Sequence, residues 1–445
     1  FQAFFTVHGI HGAAWQMRGQ YLGGDCKKSC YTKGPGVTGS LMSKIQEYLQ
    51  SENYAELIQL SRQMIRKDKR AWTDTALKTW LGRRFRNLFI NEACKDQTAL
   101  EAAHSSGFLG LGSDKRPERQ QIAERFLRGD GPTEWQIEMP PAQVPAAFNA
   151  TLLFSPGMLN GLLPVRAFQE AFPALQQKTG LKILRADLHP MRGCQANMAD
   201  LKAAFDQGRG LNAQCEIITA EQAQAPGDVF IITYSKGMPD TLEFLVANPE
   251  VASRVRCIFN WAGATGGSYL ADDILASIED IPLEKAQSRI DSLMKMVSPV
   301  INMEGGALRR LGEFDIRTCI ADTSTPVRSR FLEEHSETID QMNIPIFNIT
   351  GSTTVTEVPY FQIQGVNRLN TFDANNDMQV TQDQAKIKIP MATDLAMMHG
   401  HHWDLSYSPF PKAMRFGSPN LDHPFPKEAA ATAMFQLAAE LGLLD

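Results

Sequence analysis

Several features are missing from this 445-residue chain, and each absence closes off a class of function. No run of about 18 apolar residues occurs, so no helical membrane span is expected. Neither charge is in excess. Against 44 Lys and Arg stand 49 Asp and Glu, a net charge of −5, too mild for nucleic acid to be the main partner. The seven cysteines are scattered without a Cys-x-x-Cys pair, which excludes a zinc ribbon. Only Cys26 and Cys30 lie close together, as two free thiols or a small disulfide loop. Internal repeats and low-complexity tracts are absent. With 43% hydrophobic and 21% charged residues, the composition excludes disorder, collagen and coiled-coil arrays. At about 150 residues per domain the length suggests two or three domains. The chain starts at Phe1 rather than Met, as after removal of a signal peptide or other trimming, so the compartment stays open between cytoplasm and export.

What is present falls into two textures. Residues 1–146 read as a mainly helical N-terminal region. Leu41, Ile45, Tyr48 and Leu49 share one helical face; Tyr54, Leu57, Ile58, Leu60 and Met64 share another. In the stretch from Asp68 to Ile90, Trp72, Leu77, Trp80, Leu81, Leu88 and Phe89 are interleaved with Lys69, Arg70, Arg83, Arg84 and Arg86. Such a basic amphipathic helix packs its aromatics inward with its arginines solvated, or lies peripherally on an anionic membrane. The segment 138–145 reads as a linker. Residues 147–445 then alternate short apolar strands with helix-like stretches. Strands are expected at 150–154, 181–187, 228–235, 256–263 and 344–351. This pattern predicts an α/β fold with a mostly parallel sheet and helices on both faces. Residues 268–340 are helical without clear strands, far longer than a plain crossover requires, and are expected to form a lid.

Chemistry concentrates where a buried strand, Val229-Phe-Ile-Ile-Thr-Tyr234, runs straight into Ser235, with Gly237 two residues on and Pro239 in the next helix. A serine on a tight strand-to-helix turn is a nucleophile elbow, although Thr233 stands where Gly-x-Ser-x-Gly has its first glycine. Acyl transfer needs two backbone N–H donors for the oxyanion. Lys236, next after the serine, supplies one; Met158, in the turn Ser155-Pro-Gly-Met158 after an earlier strand, can supply the other. A carboxylate follows in Asp373-Ala-Asn-Asn-Asp377, with Asp377 the first choice of acid and Asp373 the second. Asp373, Asn375, Asp377, Gln379 and Thr381 also match a calcium loop, but Met378 replaces its turn glycine and Gln384 its final glutamate. Three of the nine histidines then cluster as His399, His401 and His402. His402, before an aromatic, is the first choice of base, His401 the second and His399 the third. No metal or other cofactor is expected.

From residue 148 onward the chain resembles the α/β-hydrolase superfamily, through Ser-Pro-Gly-Met158, Thr-Tyr-Ser235-Lys-Gly, Asn-Asn-Asp377-Met-Gln-Val and His-His402-Trp-Asp-Leu in that order. The resemblance implies Ser235 as nucleophile, His402 as general base and acid, Asp377 as its partner, and Met158 and Lys236 as oxyanion donors. It also places a cap or lid at 268–340. The implied activity is a serine hydrolase of carboxylic esters, with acyl or lipid-like small molecules as substrates. An acyltransferase or amidase on the same triad, or a non-catalytic binding protein of this fold, is the alternative. The resemblance does not extend to residues 1–146.

Overall fold

The computed structural model describes residues 38–104, 114–145, 147–279, 310, 312–415 and 417–445. Cys26, Cys30 and residues 280–309 of the expected lid lie outside them. Helices come first: α1 (Thr38–Gln50), α2 (Tyr54–Lys67), α3 (Thr75–Ala93), α4 (Gln97–Ala103) and α5 (Glu118–Phe126). Strand and helix then alternate through β1 (Thr151–Ser155), α6 (Ala171–Thr179), β2 (Ile183–Arg185), α7 (Cys194–Gln207), β3 (Val229–Tyr234), α8 (Gly237–Ala247) and β4 (Val255–Trp261). After β4 come α9 (Tyr269–Glu279), α10 (Ile316–Ala321), α11 (Thr325–Gln341), β5 (Ile346–Ser352), α12 (Ile363–Leu369), α13 (Gln382–Ala385), β6 (Ala392–His399) and α14 (Lys427–Glu440).

The six strands form one sheet in the order β2-β1-β3-β4-β5-β6, with every pairing parallel. Strands β1, β3 and β5 are buried along their whole length, as the β-branched and aromatic runs of a sheet covered on both faces require. Connections from β1 run outward to β2 on one side, and from β3 outward to β6 on the other. The order therefore reverses between β1 and β3, and in such sheets the crevice at the C-terminal strand ends opens at that point. Ser155 pairs with Thr233 in register there.

Residues 41–445 form one compact unit, and the boundary expected at 146 does not separate two of them. The reason is packing. Helix α3 lies against β6 and α14, Trp72 sets its ring edge to Phe347 of β5, and Phe89 stacks on Phe425. Two arginines of α3 depart from the solvated face expected of them: Arg84 is fully buried on Glu440, and Arg86 reaches Glu134 and the Leu395 carbonyl. The expected linker is likewise clamped, because Arg84 Nη1 donates to Pro140 O and Gln143 N donates to Glu440.

Only part of the expected lid falls in the described residues. Helix α11 packs beside α8 as the crossover between β4 and β5, with Arg328 paired to Glu243. Helix α9 lies nearer the strand ends: Ser268 Oγ donates to Gln379 O, and Tyr269 stacks on Phe372 at 3.8 Å.

Candidate active site

Ser235 follows β3 directly and has φ +54°, the left-handed region that a non-glycine residue occupies only under constraint. The constraints are visible on both sides. A Cβ on Gly237 would stand 2.1 Å from Ser155 O, so only glycine lets the start of α8 close on the end of β1. A Cβ on Gly157 would lie 2.5 Å from the Ser235 Cβ and 3.2 Å from its Oγ, so the 157–158 peptide passes hard against the serine. Thr233 is tolerated in place of the expected glycine because its side chain points into the core, its Oγ1 3.5 Å from Met238 Sδ and 3.4 Å from Phe259 O. Ser235 itself is half-buried, and the backbone N–H groups of Met158 and Lys236 donate to no described residue.

The acid and the histidine come from the loops after β5 and β6. Asp377 is buried, and its Oδ1 accepts from the N–H groups of Gln379 at 3.0 Å and Val380 at 2.8 Å. Its Oδ2 lies 2.7 Å from His402 Nδ1, and the His402 N–H donates to Asp377 O at 2.6 Å. Nδ1 is thus the ring nitrogen that faces the carboxylate. Tyr234, the residue before the serine, fixes the imidazole from below. Its ring stacks on His402 at 4.9 Å between centroids, and its hydroxyl donates to His402 O at 2.9 Å. Burial holds the Tyr234 phenol well above its ordinary pKa, so it remains a donor.

The second-choice residues are committed elsewhere. Asp373 caps its own turn, accepting from Asn375 N and Gln382 N, and touches no histidine. His401 Nε2 is bound to Asn420 O and its Nδ1 accepts from Asp404 N; burial holds its pKa below the ordinary histidine value. His399 lies among Arg125, Arg128 and Glu357. The third member of the calcium-loop pattern, Asp377, is instead engaged by His402 and two backbone N–H groups. Among the described residues, no group of three or more His, Cys, Asp or Glu side chains is placed to hold a metal.

Two side chains of this site carried no signal in the sequence. Tyr234 reads as one more apolar strand residue, and its histidine contact depends on a loop 168 residues away. The Lys236 side chain, which a lysine on a turn would send into water, is fully buried on Asp240 at 2.6 Å. A cleft of about 490 Å³ lies between Thr75, Lys78 and the segment 382–394, and Ser235, Asp377 and His402 are not among its lining residues. Its Lys386 and Lys388 are each paired, to Asp394 and Asp383.

No protein-family model and no curated protein sequence matches the chain. Solved structures do. A metagenomic carboxyl esterase matches with a TM-score of 0.55 at 20% identity, over 79% of this chain and 90% of its own. The mature form of a Bacillus licheniformis lipase matches with a TM-score of 0.38 at 19% identity, over 59% of this chain and 89% of its own. A lipase of Staphylococcus hyicus gives 0.40 at 13% identity, over 68% and 99%. The likeness to the first extends over most of both chains, and together with the parallel six-stranded sheet it gives this chain the fold of the α/β-hydrolases.

Proposed function

We propose that the chain is a serine hydrolase of carboxylic esters, acting through Ser235, His402 and Asp377. His402 Nε2 takes the proton of Ser235 Oγ as the oxygen attacks the ester carbonyl. The C=O electron pair moves onto oxygen, and the backbone N–H groups of Met158 and Lys236 bind that oxyanion. As the carbonyl re-forms, the C–O bond to the alcohol breaks and His402 returns its proton to the leaving oxygen. Water then attacks the acyl-serine with His402 again as base, freeing the carboxylic acid and Ser235. Asp377 stabilises the imidazolium and holds the ring in the tautomer that each step needs.

One observation carries the reading. The buried Asp377–His402 pair, 2.7 Å apart, is stacked on the residue preceding a left-handed serine, at the point where the strand order reverses. The carboxyl esterase that shares this fold is in keeping with it. An apolar acyl group is the favoured substrate class, since Tyr360, Phe361 and Phe372 are exposed on the segment above the acid turn, with Phe361 6.0 Å from Trp403. In this reading the α9 segment is the described part of a lid that walls the acyl site.

The test is labelling with a fluorophosphonate, which reacts only with an activated serine, alongside turnover of a short-chain p-nitrophenyl ester. The wild type should label and turn over. Ser235→Ala should fold, fail to label and lose roughly 10⁴ to 10⁶-fold in kcat. Turnover retained by Ser235→Ala would move the chemistry to another residue.

A further inference from the structure

The side chain that follows the nucleophile is in an unfavourable place. Lys236 carries a cation at the N-terminus of α8, where the helix dipole favours anions. It is also buried, at 2% exposure, and its ammonium donates to the equally buried Asp240 one turn on. Burial works against its charge, and Asp240 more than compensates, so the lysine titrates above its ordinary value. Taking such a pair out of water commonly costs about as much as its attraction returns, so fold stability alone is a poor reason for it.

The geometry around the pair supplies a better one. Asp240 Oδ2 accepts from Asn197 Nδ2 at 3.2 Å, and Asn197 Oδ1 accepts from Arg192 Nε at 3.1 Å. Arg192 is in turn paired with Asp200 and Glu313. The first turn of α8 is thereby tethered from inside to α7. On its other side it bears on β1, through the contact of Gly237 with Ser155 O. Between these two supports sits the Lys236 peptide, whose N–H donates to no described residue and follows a serine in a strained conformation.

We propose that Lys236 and Asp240, held by Asn197, act as positioning residues that aim the Lys236 backbone N–H at the oxyanion formed on Ser235. The proposal rests on the serine hydrolase reading above. Neither side chain touches substrate; the pair acts through the backbone between them. A donor that is already aimed costs no reorganisation when charge develops, and a small misplacement weakens the transition state far more than the bound ester.

The test separates this role from a purely structural one. In Lys236→Met combined with Asp240→Asn, methionine fills the lysine's volume and asparagine keeps an acceptor for Asn197, with no buried charge left alone. Fluorophosphonate titration counts the active sites, and kcat per titrated site, KM for a p-nitrophenyl ester and Ki for an alkylboronic acid are then measured. The expected result is a fall of about 10-fold or more in kcat per site and a comparable rise in boronate Ki, with KM within about twofold. Values of kcat per site and Ki within about twofold of wild type would overturn the proposal, as would a loss confined to the number of titratable sites. If the double variant does not fold, Asn197→Leu, which loosens the pair and leaves both charges, decides by the same criteria. A wild type that neither labels nor turns over would instead refute the hydrolase reading itself.

Discussion

Both oxygens of Asp377 are engaged: two backbone N–H groups hold one and the His402 imidazole meets the other. Replacing it by asparagine leaves the shape intact and puts an amide where the ring N–H must donate, which favours the wrong tautomer. Asp377→Asn should therefore lower ester turnover by roughly 10⁴-fold with little loss of stability, as when a triad carboxylate is neutralised. Asp373→Asn, whose parent touches no histidine, should keep most of the activity. The reverse ranking in a steady-state assay would remove Asp377 from the proposed mechanism. Residue order and strand-end position were enough to make Ser235, Asp377 and His402 the first choices in the sequence. The geometry around them, Tyr234 under the imidazole and Gly157 against the serine, depends on contacts between distant segments. No local pattern encodes it.

Among the elements, those with a strong local period were legible. Strands β1, β3, β4 and β5 are short runs rich in apolar and β-branched residues, and each appears within about two residues of where that pattern put it. Helix α3 was legible as a helix but not in its partners, because a sequence does not say that Arg84 will meet a glutamate near the C-terminus. The loop after β5 shows a related effect. Glu357 accepts from Thr354 N and Oγ1, lies 2.8 Å from His399 Nε2 at the end of β6, and faces Arg125 of α5. Burial alone would raise its carboxyl pKa, but the His399 contact, Thr354 and Arg125 bring it down to about 2, against 4.5 for a free glutamate. A depressed carboxylate stabilises the fold above its unfolded pKa, and that contribution is lost as pH falls through the folded value. Glu357→Gln should thus lower the thermal midpoint by a margin that is full above about pH 4.5 and shrinks towards about pH 2. A margin that stays constant, or widens in acid, in melts across that range would show that Glu357 does not tie these three elements together through its charge.

At the scale of the whole molecule, the question is whether the helices before β1 are an accessory or part of the same folding unit as the sheet. The Arg84–Glu440 pair bears on this directly. Its partners are 356 residues apart, both side chains are buried, Arg84 Nε donates to Glu440 Oε2 at 2.9 Å, and the clamp on Pro140 and Gln143 hangs from the same two groups. Removing one member of a buried pair leaves a bare charge, at a cost of about 3–5 kcal/mol; removing both usually recovers much of it. Arg84→Met should therefore shift the urea midpoint strongly downward, and Arg84→Met with Glu440→Leu should restore a large part of the loss. The more telling measurement is coincidence. In a single cooperative unit, tryptophan fluorescence, which reports Trp72 and Trp80 in the helices as well as Trp261 in β4, should be lost at the same urea concentration as ester turnover. An Arg84→Met protein that unfolds in two steps, with turnover surviving the first, would mean that the helical region folds apart from the sheet despite this shared core.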